Sequence, residues 1–429
     1  MSSAVSGRDR CLELDGRDPL APQRRAFLLP DDVIYLDGNS LGALPAATPA
    51  RLRDVVERQW GRGLIGSWDG AGWIDAPRRV GAKIARLIGA ADDEVICADS
   101  TSVNLFKVLS AALRLQRTAA PERRVILSAQ DNFPTDLYIA QAIAERSGDR
   151  CRLRTVAADD IATHLDGQTA VLLLTHVDYR SGSMHDLAQL TRRAHQAGAL
   201  VVWDLAHSAG AVPVDLDAAD ADFAVGCGYK YLNGGPGAPA FTFVARRHLD
   251  AMAADRFAQP LAGWLGHAAP FDFEPQYRPA PGVDRFGAGT PSILALAALE
   301  CGVDTVLDAG IVALRAKSIE QTQLFIDLAD SGCAGFGLTL VTPRDPQRRG
   351  SQVCFAHEQA WAVMQALIAR GVIGDYRAGA RGEPGILRFG FAPLYLRYVD
   401  VWDAADRLRD VLASRAWDAP QFRTRRRVT

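Results

Sequence analysis

The sequence lacks a long hydrophobic run. No window holds the ~20 consecutive apolar residues of a membrane-spanning helix, so no membrane partner is expected. It also lacks a surplus of either charge. Lysine and arginine number 48 against 50 acidic residues, a formal net charge of −2. General nucleic-acid or membrane-surface binders carry a strong basic excess, so no nucleic acid is expected either. Cysteine is sparse and scattered: Cys11, Cys97, Cys151, Cys227, Cys301, Cys333 and Cys354 are odd in number, with no pair spaced CxxC. This predicts reduced thiols and excludes a disulfide framework or a zinc site; no metal is expected. The opening stretch MSSAVSGRDRCLELDGRD has no basic-then-apolar pattern. It predicts no secretion signal, and the expected location is cytoplasmic. Lysine itself is nearly absent. Lys83, Lys107, Lys230 and Lys317 are the whole set, which shortens the list of amine nucleophiles.

What is present reads as a globular protein. Apolar residues make up 48% and charged residues 23% of 429 positions, ordinary values for a protein of about two or three domains. Residues 1–30 are polar, with Pro19, Pro22 and Pro30, and read as an extended arm carrying one helix. From about 94 to 245, apolar runs alternate with amphipathic stretches. The runs are Glu94–Ala98, Arg124–Ser128, Cys151–Val156, Ala170–Thr175, Ala199–Asp204, Asp222–Gly226 and Ala240–Ala245. Rich in Val, Ile and Leu, they predict strands covered on both faces. Helical patterns over 103–115, 135–146 and 187–197 lie between them, so the expected architecture is α/β with a mostly parallel, doubly wound sheet. Past 305, helices near 305–331, 358–371 and 399–415 flank short strands near 337–341, 351–356 and 385–391 and predict a smaller α+β domain. The tail Arg423, Arg425, Arg426 and Arg427 reads as a solvated terminus.

Three segments carry chemistry. In VVWDLAHSAG an apolar strand ends at Asp204, with His207 three residues on. Ligands of open α/β sheets bind beyond the carboxyl ends of the strands. In DFAVGCGYKYLNGGPG, Lys230 sits where a strand turns into a glycine-rich loop. A lysine in apolar surroundings loses its proton more readily and can then condense with an aldehyde. An acid that keeps a pyridine nitrogen protonated, followed by an aldehyde-binding lysine, is what pyridoxal 5′-phosphate demands. Its phosphate needs N–H groups at a helix start, and Thr101 and Ser102 open a helix in ADSTSVNLFKVL. Phe133 in NFPTD could cover a ring face. Read alone, Asp204 is also a common helix cap and Phe133 a common core residue.

Taken together, YLDGNSLGALP (35–45), DSTSVNLFK (99–107), NFPTD (132–136), DLAHSAG (204–210), YKYLNGGPG (229–237), GWLGH (263–267) and RFGFAPLY (388–395) resemble kynureninase. That family comprises fold-type I pyridoxal-phosphate enzymes of the aspartate aminotransferase superfamily. The matches run from about 35 to 400. The resemblance implies a fold-type I transferase-like architecture in three parts. Residues 1–60 would be an arm and helix packing with the small domain, 61–304 the large cofactor domain with a mostly parallel seven-stranded sheet, and 305–429 a small α+β domain. It implies that Lys230 holds the cofactor and Asp204 faces its ring nitrogen. His207 would lie beside it, Thr101, Ser102 and Tyr229 would bind the phosphate, Phe133 would stack on the ring, and Asp136 and Thr175 would hydrogen-bond around it. Trp264 and Thr290 would reach it from the neighbouring subunit of a homodimer whose active site lies at the interface. Arg388 would pair with the substrate carboxylate, a task suited to a guanidinium fork, and Ser40, Trp68 and Gly289 would line the substrate site.

The implied reaction is hydrolytic Cβ–Cγ cleavage of L-kynurenine to anthranilate and L-alanine, in tryptophan catabolism and the kynurenine pathway that leads on to pyridine-nucleotide (NAD) biosynthesis. Lys230, Asp204 and Tyr229 would be its catalytic residues, Tyr229 as a proton donor. Where 3-hydroxykynurenine-preferring animal members resemble Ser-Asn, this chain has Gly289 and Thr290, and Trp68 replaces a His. The loss of hydrogen-bonding groups predicts a preference for unsubstituted kynurenine. The alternatives are another fold-type I enzyme, such as a cysteine desulfurase or class V aminotransferase, and a non-catalytic protein on the same fold. A desulfurase would need Cys333 or Cys354 as its nucleophile, and a non-catalytic relative would be expected to lack Lys230 or Asp204.

Overall fold

The computed structural model describes residues 7–255, 257, 259–379 and 382–425. Arg426 and Arg427 of the basic tail, and residues 1–6 of the arm, lie outside them. Seven strands form one sheet: β1 Val95–Cys97, β2 Val125–Ala129, β3 Arg152–Val156, β4 Thr169–Thr175, β5 Leu200–Asp204, β6 Phe223–Gly226 and β7 Phe241–Val244. Their order is β1-β7-β6-β5-β4-β2-β3. Only β7 runs antiparallel to its neighbours; β6, β5, β4, β2 and β3 are joined by parallel ladders. Successive side chains point to opposite faces, and the two faces feed separate cores. Leu127, Leu172, Leu174, Val201 and Trp203 face one, and Ile126, Val171, Leu173, Val202 and Val225 the other. Double coverage fails at β3. As an edge strand it is partly exposed along its length, whereas the opposite edge strand β1 is buried throughout, so the expectation of strands buried on both faces holds for all but β3.

The crossover helices Thr101–Ala119, Pro134–Ser147 and Leu187–Gln196 lie where the apolar periodicity placed them. Their starts have local causes. Ser100 accepts a bond from Val103 N at 3.4 Å, Asp186 accepts one from Gln189 N at 2.8 Å, and Pro134 sits in the first turn of its helix, as N-terminal preferences require. The helix expected near 305–331 is two helices, Ile293–Ala309 and Ile311–Gly332. Gly310 separates them at φ +76°, a conformation that L side chains adopt rarely.

A second, antiparallel sheet contains β8 Thr339–Leu340, β9 Gln352–His357, β10 Asp375–Arg377 and β11 Gly385–Gly390, in the order β8-β9-β11-β10. Phe325 of the helix Ile311–Gly332 packs its ring on Phe355, Phe389 and Phe391 at 6.1, 5.0 and 5.4 Å. The N-terminal helix Gly7–Arg17 buries Cys11 against Tyr398 and Val399, and Asp15 caps the helix Tyr398–Ala413 through Tyr398 N at 2.6 Å and Val399 N at 3.0 Å. Ile34–Tyr35 then pairs with Val372–Ile373 in parallel, and Asp37 bridges to Gly390. The segment that follows is thus drawn past the end of β11 and onto the Lys230 turn, where Gly42 N donates to Tyr229 O at 2.8 Å. A Cβ on Gly42 would collide with the Lys230 carbonyl and with Asn233.

Candidate active site

A cavity of about 830 Å³ opens where β4 and β5 end and the chain turns after β6. Eleven of the residues singled out from the sequence line it: Thr101, Ser102, Phe133, Asp136, Thr175, Asp204, His207, Tyr229, Lys230, Gly289 and Thr290. Lys230 is the sole lysine among them. Its Nζ lies 3.0 Å from His207 Nε2 and 5.9 Å from the centres of the Phe133 and Tyr229 rings. Burial, and then the Lys230 charge, push the His207 imidazole well below its ordinary value. The ring is therefore neutral, and its Nδ1 is shielded from water without a partner.

Asp204, at the last position of β5, is buried and accepts a bond from Ala206 N at 2.8 Å. Burial raises its carboxyl, while the Lys230 charge pulls the other way. Asp136 is also buried, and burial and then the charge of Asp204 raise it strongly. Thr175 Oγ1 donates to it at 3.3 Å. Burial likewise pushes the Tyr229 phenol up, so it keeps its proton at neutral pH. Phe133 meets Tyr179 edge-on at 5.2 Å.

Four singled-out residues do not line the cavity. Trp68 packs edge-on against Trp73 and Trp264, at 6.0 and 6.2 Å, so that Trp68 and Trp264 share one aromatic cluster. Arg388 is fully buried on β11, and its fork is engaged. Nε donates to Asp375 Oδ1 at 2.7 Å, Nη2 to Asp375 Oδ2 at 2.5 Å and to Ser40 Oγ at 2.8 Å, and Nη1 to the Tyr179 carbonyl at 2.7 Å. Ser40 also donates to Asp375 at 2.9 Å. In this structure the fork that the resemblance assigned to the substrate carboxylate is held by Asp375.

Asp375, Arg377 and Tyr179 escaped the sequence reading because their strand and loop have no apolar period. Asp37 lay inside the segment YLDGNSLGALP (35–45), but nothing local marks its role. Lys107 was visible as one of four lysines and as the end of DSTSVNLFK, without a role. It is fully buried, pairs with Asp99 in the turn before Thr101, and donates to Phe286 O at 2.6 Å, joining that turn to the segment bearing Gly289 and Thr290.

An amine beside a neutral imidazole, a buried carboxylate at a strand end and the unpaired N–H groups of a helix start share one cavity. These residues fit the aldehyde, ring nitrogen and phosphate of pyridoxal phosphate, and with the sheet order they define a fold-type I pyridoxal-phosphate enzyme. The apo cysteine desulfurase of Thermococcus onnurineus NA1 has the same fold, with a TM-score of 0.76 at 19% identity over 92% of this chain and 98% of that one. So does a C-DES mutant with glycine covalently linked to its PLP cofactor, with a TM-score of 0.75 at 18% identity over 90% and 99%. Sequence comparison narrows the class. The chain is 55% identical over 423 residues to the kynureninase of Burkholderia mallei (strain SAVP1), covering 98% of this chain and 99% of that one. It is 52% identical over 426 residues to the kynureninase of Pseudomonas fluorescens, covering 99% and 100%. The model of the kynureninase C-terminal domain matches residues 314–408. The chain belongs to the kynureninase family, and is thus a pyridoxal-phosphate-dependent hydrolase of the kynurenine pathway. The desulfurase alternative is not favoured: Cys333 and Cys354 are buried and neither lines the cavity.

Proposed function

We propose that the cavity cleaves the Cβ–Cγ bond of L-kynurenine with Lys230, Asp204 and Tyr229 as its catalytic residues; the grouping of Lys230, His207 and Asp204 at one strand end carries this reading. Pyridoxal phosphate, when bound, supplies an electron-accepting ring that stores the charge released at Cα. The protein's part is to place protons. Asp204 holds a proton on the ring nitrogen. Lys230, a free amine once the substrate's amino group has taken its place, takes the Cα proton and returns it to Cα in the alanine product, with the neutral His207 beside it. Water adds its hydroxyl to the γ-carbonyl carbon, the Cβ–Cγ bond breaks, and Tyr229, protonated at neutral pH, supplies a proton for Cβ. Anthranilate and alanine are the balanced products. Thr101 and Ser102 receive the phosphate, Phe133 covers the ring, and Asp136 and Thr175 bond around it.

The working unit is a homodimer in the cytoplasm, with Trp264 and Thr290 reaching the neighbouring subunit's cofactor, Thr290 from a segment that also lines the cavity of its own chain. The family resemblance supports this, as does an apolar groove beside Trp60 and Leu294. Among the described residues no helix is long and apolar enough to cross a membrane. The division at 60/61 and 304/305 into arm, large domain and small domain is part of the same proposal.

Gly289 on the cavity wall has no side chain to bond a ring hydroxyl, and Trp68, where the family resemblance would put a His, packs on Trp73 and Trp264 away from the cavity. Unsubstituted kynurenine is therefore the preferred substrate. Parallel assays of the purified enzyme with kynurenine and 3-hydroxykynurenine test this. A higher kcat/KM for kynurenine is expected. A clear preference for the hydroxylated substrate would overturn the pocket reading while keeping the family.

A further inference from the structure

The Arg388 guanidinium has five N–H groups, and four are spoken for by Asp375, Ser40 and the Tyr179 carbonyl. One N–H on Nη1 remains. Two-pronged binding of a carboxylate needs two parallel N–H groups. Charge gives a second reason. Arg388 and Asp375 together are neutral, so the pair has no net attraction for an incoming anion.

Arg377 supplies what is missing. It lies on β10, two residues beyond Asp375, which is the register partner of Arg388 on β11. Arg377 Nη2 reaches Asp375 Oδ2 at 2.7 Å and Ser40 Oγ at 3.4 Å. Its Nε is shielded from water and has no acceptor, while 37% of the side chain is exposed. Its charge acts on Tyr179, His207 and Tyr229, three side chains of the cavity wall. Two arginines and Asp375 leave one net positive charge beside the cavity while the neighbouring Asp37, whose carboxyl is pushed up to about 7, keeps its proton.

We propose that the substrate's α-carboxylate is seated by two arginines, Arg377 providing free N–H groups beside the single one left on Arg388, with Asp375 and Ser40 locking both guanidiniums. The proposal rests on reading this cavity as the kynurenine site. It makes Arg377 a substrate-binding residue, and Asp375 a positioning residue that acts through both guanidiniums.

The test uses holoenzyme carrying Arg377→Ala, Arg377→Lys or Arg388→Ala. Each is assayed with L-kynurenine and, separately, for inhibition by the decarboxylated amine of kynurenine, which keeps the ring and amino group but lacks the carboxylate. Losing charge-assisted hydrogen bonds predicts a KM for kynurenine raised roughly ten- to a hundredfold in Arg377→Ala. The expected kcat changes little, and inhibition by the amine is unchanged. Arg377→Lys restores charge without the fork and should fall between. An unchanged KM in Arg377→Ala, or equal weakening of kynurenine and the amine, would overturn the proposal. If Arg377→Ala does not accumulate as folded protein, Arg377→Lys decides by the same KM and inhibition comparison. An unchanged KM in Arg388→Ala would instead reject the placing of the carboxylate in this cluster, and no kynurenine cleavage by the unmodified enzyme would reject the site reading itself.

Discussion

Asp37 illustrates how a single residue acquires a property from its neighbours. Burial, and then the charge of Asp375, push its carboxyl up to about 7, with Arg388 and Arg377 opposing. Tyr35, Tyr231 and Tyr395 also face it and carry no charge near neutral pH, since burial raises all three phenols. Below about 7 the Asp37 carboxyl is neutral; above it, a negative charge appears beside the two arginines. Kynurenine KM is therefore expected to rise as pH moves from about 6 to about 8, and Asp37→Asn should flatten the rise. A pH dependence of KM that survives in Asp37→Asn would assign the titration elsewhere. Lys230 is the corresponding test of the chemistry. With no other lysine lining the cavity, Lys230→Ala should remove the visible absorption of the lysine-linked cofactor and lower kcat by more than about a hundredfold. Lys230, Asp204 and His207 could be read from sequence because strand end, glycine loop and spacing are local features. Asp37, Asp375 and Arg377 could not, because their chemistry exists only after residues more than three hundred positions apart meet.

Between elements, Asp222 does the joining at the start of β6. It accepts bonds from His195 Nε2 at 2.8 Å, His248 Nε2 at 2.6 Å, Arg247 Nη2 at 2.8 Å and Val201 N at 2.8 Å. One buried carboxylate thereby ties the helix Leu187–Gln196, the helix Arg246–Ala254 and β5. Burial alone would raise this carboxyl. The bonds from His195 and His248 outweigh it and hold the group far below its ordinary range. Its stabilising effect is thus present above the unfolded value of about 3.9 and is lost as pH falls through the lower folded value. His195 is shifted upward, chiefly by its bond to Asp222. Its own contribution is full below about 6.5 and is lost as pH rises through the folded value. Asp222→Ala should lower stability by about 2–3 kcal/mol. That is less than for a fully buried pair, because Arg247 is half exposed. Denaturant unfolding would measure this, and the kynurenine KM should not change. At this scale the large sheet was legible, since runs of Val, Ile and Leu declare buried strands. β10, Asp375–Arg377, and the two-residue strands of the arm were not: β10 is polar, and all of them are too short to show a period. The break at Gly310 was missed because both flanking helices share one apolar pattern.

For the whole molecule, the distribution of apolar surface carries the prediction. Ile65 and Phe273 are 80% and 81% exposed, and Trp60 lines the groove with Val55, Trp73 and Leu294. Exposed apolar patches of this kind mark interaction surfaces. Light scattering should report a dimer. Ile65→Asp together with Trp60→Asp should shift it toward monomer and, on the proposal that Trp264 and Thr290 serve the neighbouring subunit, reduce activity at low protein concentration. A fully active monomer would reject the shared-site reading.

The sequence by itself determined the class of fold and the cofactor, and singled out residues that the fold gathers around one cavity. These rest on periodicity, on strand ends and on motifs a few residues long, where a side chain's surroundings follow from its neighbours in the chain. Only the tertiary structure decided the surroundings of Arg388. Its partners come from the arm (Ser40), from the loop after β4 (Tyr179) and from an adjacent strand (Asp375), and hydrogen bonds between such distant groups leave no period or spacing in the sequence. Which guanidinium keeps a free N–H, and which carboxyl keeps its proton, depends on distances of a few ångströms set by packing.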